Sequence, residues 1–362
     1  MPLPDPDRLV DRLRELQRRI RDAVVASRGA GSADVARTSS ADTIYGIDAA
    51  IEPVVEAFCE AWGRELPMVV IAEGLEPETG RAFPAGLAEG DAVARVILDP
   101  IDGTRGLMYD KRSAWSLAGV APNMGAGTRL ADIEVAVMTE LPTSKMGWSD
   151  VLWAVKGRGV RGVREGVGRW GDGVMGGEAK GGAQGSGEAL FAPHQTTASS
   201  SHPLHIAPSR AGTIAHGFAS VASFFPGTKQ LAAELMEAIC ARLLGPADVR
   251  AAAVFDDQYI STGGQFYELI VGHDRFVADL RPLFYTVQGQ GEGLCCHPYD
   301  CAAALIATES GVVLTDGLGG ALDGPMDVTS GVAWAGYANA GIRRAVEPIV
   351  REFFESRGIR AS

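Results

Sequence analysis

Apolar residues fall at helical spacing at the start of the chain. Leu9, Leu13, Leu16, Ile20 and Val24 step by three and four, with arginines and glutamates on the other faces. The pattern predicts a helix over 7–26, with Asp5 and Asp7 as candidate caps and Gly29 to Gly31 as its stop. A second helix is expected over 47–62, where Ile51, Val54, Val55 and Phe58 share a side and Asp48 sits in the opening turn. The pattern then changes period. MVVIA at 68–72 and the apolar run at 92–98 read as strands, and each ends in an acid, Glu73 and Asp99. Further strands are expected at 115–121, 133–138, 151–155, 267–271 and 312–314. Helices are expected at 231–244, at 300–310 and at 338–357, where Pro348 kinks or divides the last.

Between 157 and 201 this periodicity gives way to closely spaced glycines and the polar run TTASSSH. Such a stretch buries too little apolar surface to offset its ordering entropy, so its middle is expected to be a flexible surface excursion. Regularity resumes near His205, which gives an expected division into 1–205 and 206–362. Helices mixed with strands, and no internal repeat, indicate an α/β layered architecture.

Composition narrows the functional classes. The chain has 362 residues, 46% of them hydrophobic, enough for one large core or two fused ones. Its formal net charge of -12 argues against nucleic acid and anionic membrane as partners. No run approaches the ~18 apolar residues that span a bilayer, and 1–26 lacks the basic-then-apolar order of a secretion signal. A cytoplasmic protein is expected. Cys59, Cys240, Cys295, Cys296 and Cys301 show no metal-binding spacing and read as free thiols.

The sharpest chemical feature is Asp99-Pro100-Ile101-Asp102-Gly103-Thr104. Two carboxylates three residues apart after a strand converge if the loop turns tightly, and Pro100 restrains that turn. Gly103 allows close backbone approach to a ligand. Carboxylates with a nearby carbonyl make an oxygen-rich set suited to Mg²⁺ or Mn²⁺. Taken alone, the hexapeptide also reads as an ordinary turn with solvated acids.

This hexapeptide resembles the signature loop of the inositol monophosphatase family, within the superfamily that includes fructose-1,6-bisphosphatases and bisphosphate nucleotidases. Asp300-Cys301-Ala302-Ala303, followed by Glu309 to Gly311, resembles the second signature. Glu73 closing VVIA and Asp48 in GIDAAIE match the upstream elements, in family order. The resemblance runs from Asp48 to the C-terminal helix, apart from the glycine-rich stretch.

It implies an α/β/α/β/α sandwich of two subdomains with the metal site between them, and a homodimer. It also implies Mg²⁺-dependent hydrolysis of a small phosphorylated metabolite, an inositol or sugar phosphate first. Bisphosphate nucleotide, fructose bisphosphate and histidinol phosphate are the alternatives, as is a catalytically silent metal-binding homologue. Glu73, Asp99, the Ile101 carbonyl, Asp102 and Asp300 would hold two or three Mg²⁺. Asp48 and Thr104 would activate water, and the Gly103 and Thr104 N–H groups would receive phosphate. In isolation Asp300 is an ordinary helix cap, Asp48 a helix-dipole partner and Glu73 a solvated acid.

Two positions depart from the family pattern: Gly74 stands where many members have a second acid, and Tyr299 where Trp is common. Arg105 either is a surface arginine or meets a second anionic group of the substrate. Residues 285–297 read as a loop forming a pocket wall, with His297 structural or exposed rather than catalytic.

Overall fold

The computed structural model describes residues 3–27, 35–38, 43–167, 200–248, 250–291 and 293–360. Helix α1 (Pro6–Ser27) buries the predicted stripe, Leu9, Leu13, Leu16, Ile20 and Val24. Gln17 is buried on the same face, and its amide donates to the Val137 carbonyl and accepts from Thr139 Oγ1. A short antiparallel pair, β1 (Val35–Thr38) and β2 (Thr43–Tyr45), leads into α2 (Gly46–Gly63).

Next come β3 (Met68–Ala72), β4 (Arg81–Phe83), β5 (Ala94–Asp102), the short α3 (Thr104–Met108) and β6 (Ala114–Pro122). They are followed by β7 (Val135–Leu141), β8 (Trp148–Val155), β9 (Val160–Gly166) and β10 (Ser201–Pro203). Together β3 to β10 make one eight-stranded sheet in the order β10-β9-β8-β7-β6-β5-β3-β4. The edges of the glycine-rich stretch are therefore strands: β9 pairs antiparallel with β8, from Val160 opposite Ala154 to Gly166 opposite Trp148. The middle of the expected excursion, 168–199, lies outside the described residues.

The second half contains β11 (Phe218–Val221), α4 (Lys229–Leu244), α5 (Thr262–Ile270), β12 (Asp274–Asp279) and α6 (Arg281–Val287). It closes with α7 (Ala304–Ser310), β13 (Val313–Thr315), β14 (Trp334–Tyr337) and α8 (Ala340–Glu355). The four strands form a sheet in the order β11-β12-β14-β13.

Alternation along the strands separates three apolar layers. Val70, Val96 and Leu98 face α1 and α2, while Val69, Ile71 and Ile97 face inward onto α5 and α7. In the second sheet Val277 faces that shared middle layer, and Phe276 and Ala278 face α4 and α8. The order of layers is helix, sheet, helix, sheet, helix, as expected.

Four expectations need correction. Residues 267–271 are not a strand, because Phe266, Leu269 and Ile270 fall at helical spacing and are buried as one face of α5. The expected helix over 300–310 is a 3-10 turn (Tyr299–Cys301) followed by α7. Residues 285–287 close α6 rather than belonging to a loop. The last helix is not divided: Pro348 forfeits one backbone donor, but Val346, Ile349, Val350, Phe353 and Phe354 bury one continuous face.

Candidate metal centre

Strand periodicity should send Asp99 and Asp102 to opposite faces, since they are an odd number of positions apart. The register of β5 changes between them: Asp99 pairs with Leu117 and Asp102 with Trp115. That is one extra residue on β5, a bulge, and it turns both carboxylates to the same inward face. Glu73 joins them because β3 runs parallel to β5, with Ala72 opposite Leu98, so both strands end at one edge.

Asp300 arrives from the second half of the chain in the 3-10 turn, where its Oδ2 accepts from the His297 backbone N–H at 2.6 Å. It does not cap α7, whose N-cap residue is Ala303. One carboxylate oxygen from each of Asp99, Asp102 and Asp300 lies within 4.8 Å of the others.

These acids share little water. Asp99 is 1% and Asp102 6% exposed. Burial, then the charges of Glu73, Asp102 and Asp300, push the Asp99 carboxyl well above the usual range. Burial and Asp300 push Asp102 up to about 8, against three hydrogen bonds that favour its anion. Asp300 rises to about 6 by burial, with His297 and Arg281 pulling the other way. A positive charge placed among them would relieve both the crowding and the lost hydration.

Gly103 follows the bulge at φ 98°, in the left-handed region. A Cβ there would also stand 3.0 Å from Ser261 Cβ and 3.1 Å from the Ile260 carbonyl oxygen. Glycine is required on both counts. Thr104 then opens α3, and its Oγ1 lies 3.2 Å from Asp48 Oδ1 and 2.8 Å from the Ile101 carbonyl oxygen. Asp48 stands in the first turn of α2, so residues far apart in sequence meet at one hydroxyl. Asp48, Glu73, Asp99, Ile101, Asp102, Gly103, Thr104 and Asp300 all line a single cleft of about 670 Å³, open mouth included.

No family model matches the chain, and no curated protein matches it in sequence. Solved structures do match along nearly its whole length. The IMPase of Thermotoga maritima has a TM-score of 0.57 at 16% identity, covering 97% of this chain and 100% of its own. The fructose-1,6-bisphosphatase of Leishmania major gives 0.59 at 11% identity, with 96% and 93% covered. An inositol monophosphatase of Zymomonas mobilis gives 0.53 at 14% identity, with 98% and 100% covered. The chain has the inositol monophosphatase and fructose bisphosphatase fold. At these identities the likeness is one of architecture, and the chemistry rests on this chain's own residues.

Within that fold, several contributors were not evident in the sequence. Ser261 Oγ and the backbone N–H groups of Thr262 and Gly263 all donate to Asp102. Ser261 also accepts from the Gly264 N–H as the cap of α5, a Ser–x–x pattern that could have disclosed the helix. Gly263 is needed for this approach, since a Cβ would meet Leu117 at 2.5 Å and Asp102 Oδ2 at 3.1 Å. Phe224, Phe225, Ile260 and Arg281 also line the cleft without having been singled out.

Other expectations resolve individually. Leu294, Cys295 and His297 do form part of the wall. His297 is buried, its Nδ1–H donates to the Ser330 carbonyl at 3.0 Å, and its ring stacks on Tyr299 at 5.5 Å. Glu309 is absent from the cleft lining; its carboxylate accepts from the Gly157 and Gly159 N–H groups, 2.8 Å each, holding the β8–β9 turn. The five cysteines are free thiols. Among the described residues no helix is long and apolar enough to cross a membrane.

Proposed function

We propose that this chain is a magnesium-dependent phosphomonoester hydrolase acting on a small phosphorylated metabolite such as an inositol phosphate, a sugar phosphate or a nucleotide. The observation that carries the reading is the convergence of two buried carboxylates and the half-buried Asp300 on the cleft that also holds the Asp48–Thr104 contact. The donor set fits the ion: carboxylates and a carbonyl are hard oxygen ligands, and the raised proton affinity of Asp99 and Asp102 is that of a site built around positive charge.

Glu73, Asp99, the Ile101 carbonyl, Asp102 and Asp300 would hold Mg²⁺, with Mn²⁺ as substitute. When bound, the ions acidify water and neutralise charge on the phosphoryl and leaving oxygens. Thr104 Oγ1, donating to Asp48 Oδ1, keeps a lone pair for a hydrogen of the attacking water. As that water gives its proton to Thr104 Oγ1, the hydroxyl's own proton would pass to the Asp48 carboxylate, which ends the step protonated. The N–H groups of Gly103 and Thr104 receive phosphate oxygens, and glycine leaves that approach open. Burial keeps bulk water from competing for these contacts.

The division near 205, with Asp300 contributed across it, belongs to the same reading, as does a homodimer, which light scattering would test. The activity is tested by phosphate release from a panel of inositol, sugar, nucleotide and amino-alcohol phosphates, with Mg²⁺ and with EDTA. Release that stops in EDTA and returns with Mg²⁺ is expected. Folded protein that releases nothing with Mg²⁺ or Mn²⁺ overturns the reading and leaves a metal-binding protein without turnover.

A further inference from the structure

Besides the carboxylates, the cleft is lined by the apolar side chains of Phe224, Phe225, Ile260 and Leu294, and by Arg105 and Arg281. The two phenyl rings are adjacent and nearly perpendicular, 6.1 Å apart at an interplanar angle of 80°. Two guanidinium groups brace them. Arg281 lies 5.2 Å from the Phe224 centroid and 5.5 Å from that of Phe225, and Arg105 lies 5.4 Å from the Phe225 centroid.

Arg281 does not act as a hook for a polar ligand. Its Nε and Nη2 donate to the buried Asp279 and its Nη1 to the Leu294 carbonyl. The nearby hydroxyls are similarly engaged: Ser261 Oγ donates to Asp102, and Thr262 Oγ1 contacts Cys296 Sγ. A polyhydroxylated leaving group pressed against Phe224 and Phe225 would lose water from its hydroxyls and find apolar carbon in exchange. A flat ring loses little and gains stacking on side chains already held in place by their cationic neighbours.

We propose that the phosphate ester taken by this cleft carries a planar heteroaromatic ring, of the nucleotide class, seated on Phe224 and Phe225. The inference rests on the phosphomonoesterase reading for its chemistry, but the stacking claim can fail separately. Arg105 and Arg281 then act as positioning residues for the rings, and Phe224 and Phe225 set specificity.

The test compares adenosine 5′-monophosphate with ribose 5-phosphate, which share the phosphate-bearing carbon and differ only in the base. With Mg²⁺, kcat/KM is expected to favour the nucleotide by about fivefold or more, the low end of what a base gains on an aromatic side chain. Phe225→Ala, and Phe225→Leu should the smaller residue impair folding, are expected to cut that preference ratio at least fivefold. Equal kcat/KM for the two esters, or an equal loss on both in the variants, overturns the inference while leaving the hydrolase reading standing. If neither ester is hydrolysed, the hydrolase reading is the one in question. Calorimetric binding of the same two compounds with Ca²⁺ then decides the stacking claim. Tighter nucleotide binding that Phe225→Leu abolishes supports it, and indistinguishable affinities overturn it.

Discussion

Replacing Asp300 by Asn should make the metal-free protein more stable and leave it unable to respond to magnesium. Native Asp300 takes up its proton near pH 6, whereas an unfolded aspartate does so near 3.9. A folded value above the unfolded one means that stability is highest below the unfolded value and is lost as pH rises through the folded one. Between the two lie about two units, so at pH 7.5 the carboxyl costs the metal-free fold on the order of 3 kcal/mol. At pH 5 roughly half of that remains, and near pH 4 about a sixth. Asparagine has the same shape, can still accept the His297 N–H through its carbonyl oxygen, and carries no charge. Its amide group can donate to the acids that ionised Asp300 repels.

The gain corresponds to roughly 4 °C in Tm for a chain of this size. Thermal unfolding in EDTA at pH 5 and 7.5 reads it directly: Asp300→Asn should unfold above wild type at pH 7.5, with the margin shrinking at pH 5. Adding Mg²⁺ should raise the wild-type Tm and leave the variant's unmoved. A variant no more stable than wild type in EDTA at pH 7.5, or a gain of equal size at both pH values, would refute the reasoning.

The remaining expectations concern neighbouring parts of the site. The Mg²⁺-induced Tm shift of wild type should grow from pH 6 to 8, because ion binding displaces protons that Asp102 holds up to about pH 8; a shift independent of pH would contradict this. Thr104→Ala should lower kcat by about a hundredfold or more while keeping the Mg²⁺-induced Tm shift. Gly103→Ala should be destabilised in urea by roughly 2 kcal/mol or more, through φ 98° and the contacts at 3.0 and 3.1 Å. Glu309→Ala should cost about 1 kcal/mol in stability through the two lost hydrogen bonds to a solvent-accessible turn, with kcat/KM on the preferred ester unchanged, since Glu309 lies outside the cleft lining.

The periodicity of α1, the acid-ended strands β3 and β5 and the layered α/β class could be read from the sequence because each is a local pattern. The convergence of Asp99 and Asp102 was only half legible. Pro100 and Gly103 signal a turn, but the extra residue that brings both acids to one face exists only in the pairing of β5 with β6. Helix α5 was obscured by its own chemistry. Gly263 and Gly264 weaken the helical pattern, and they are needed because α5 starts against Asp102, Leu117 and Tyr259. Phe224, Phe225 and Arg281 carried no motif at all, since cation–π and ion-pair geometry is set by tertiary approach. Asp300 stood out as a residue, but its place in a 3-10 turn bonded back to His297, rather than at a helix cap, required the structure.

The central claim is that the buried acids hold the metal on which hydrolysis depends. It is tested most directly by phosphate release from the preferred ester, comparing wild type with Asp99→Asn in Mg²⁺ and in EDTA. The variant keeps an oxygen for the Ile101 N–H that Asp99 Oδ1 accepts at 2.9 Å, so it should remain folded. The account expects Mg²⁺-dependent release from wild type alone, with Asp99→Asn at the EDTA background. Full Mg²⁺-dependent turnover by Asp99→Asn would contradict it.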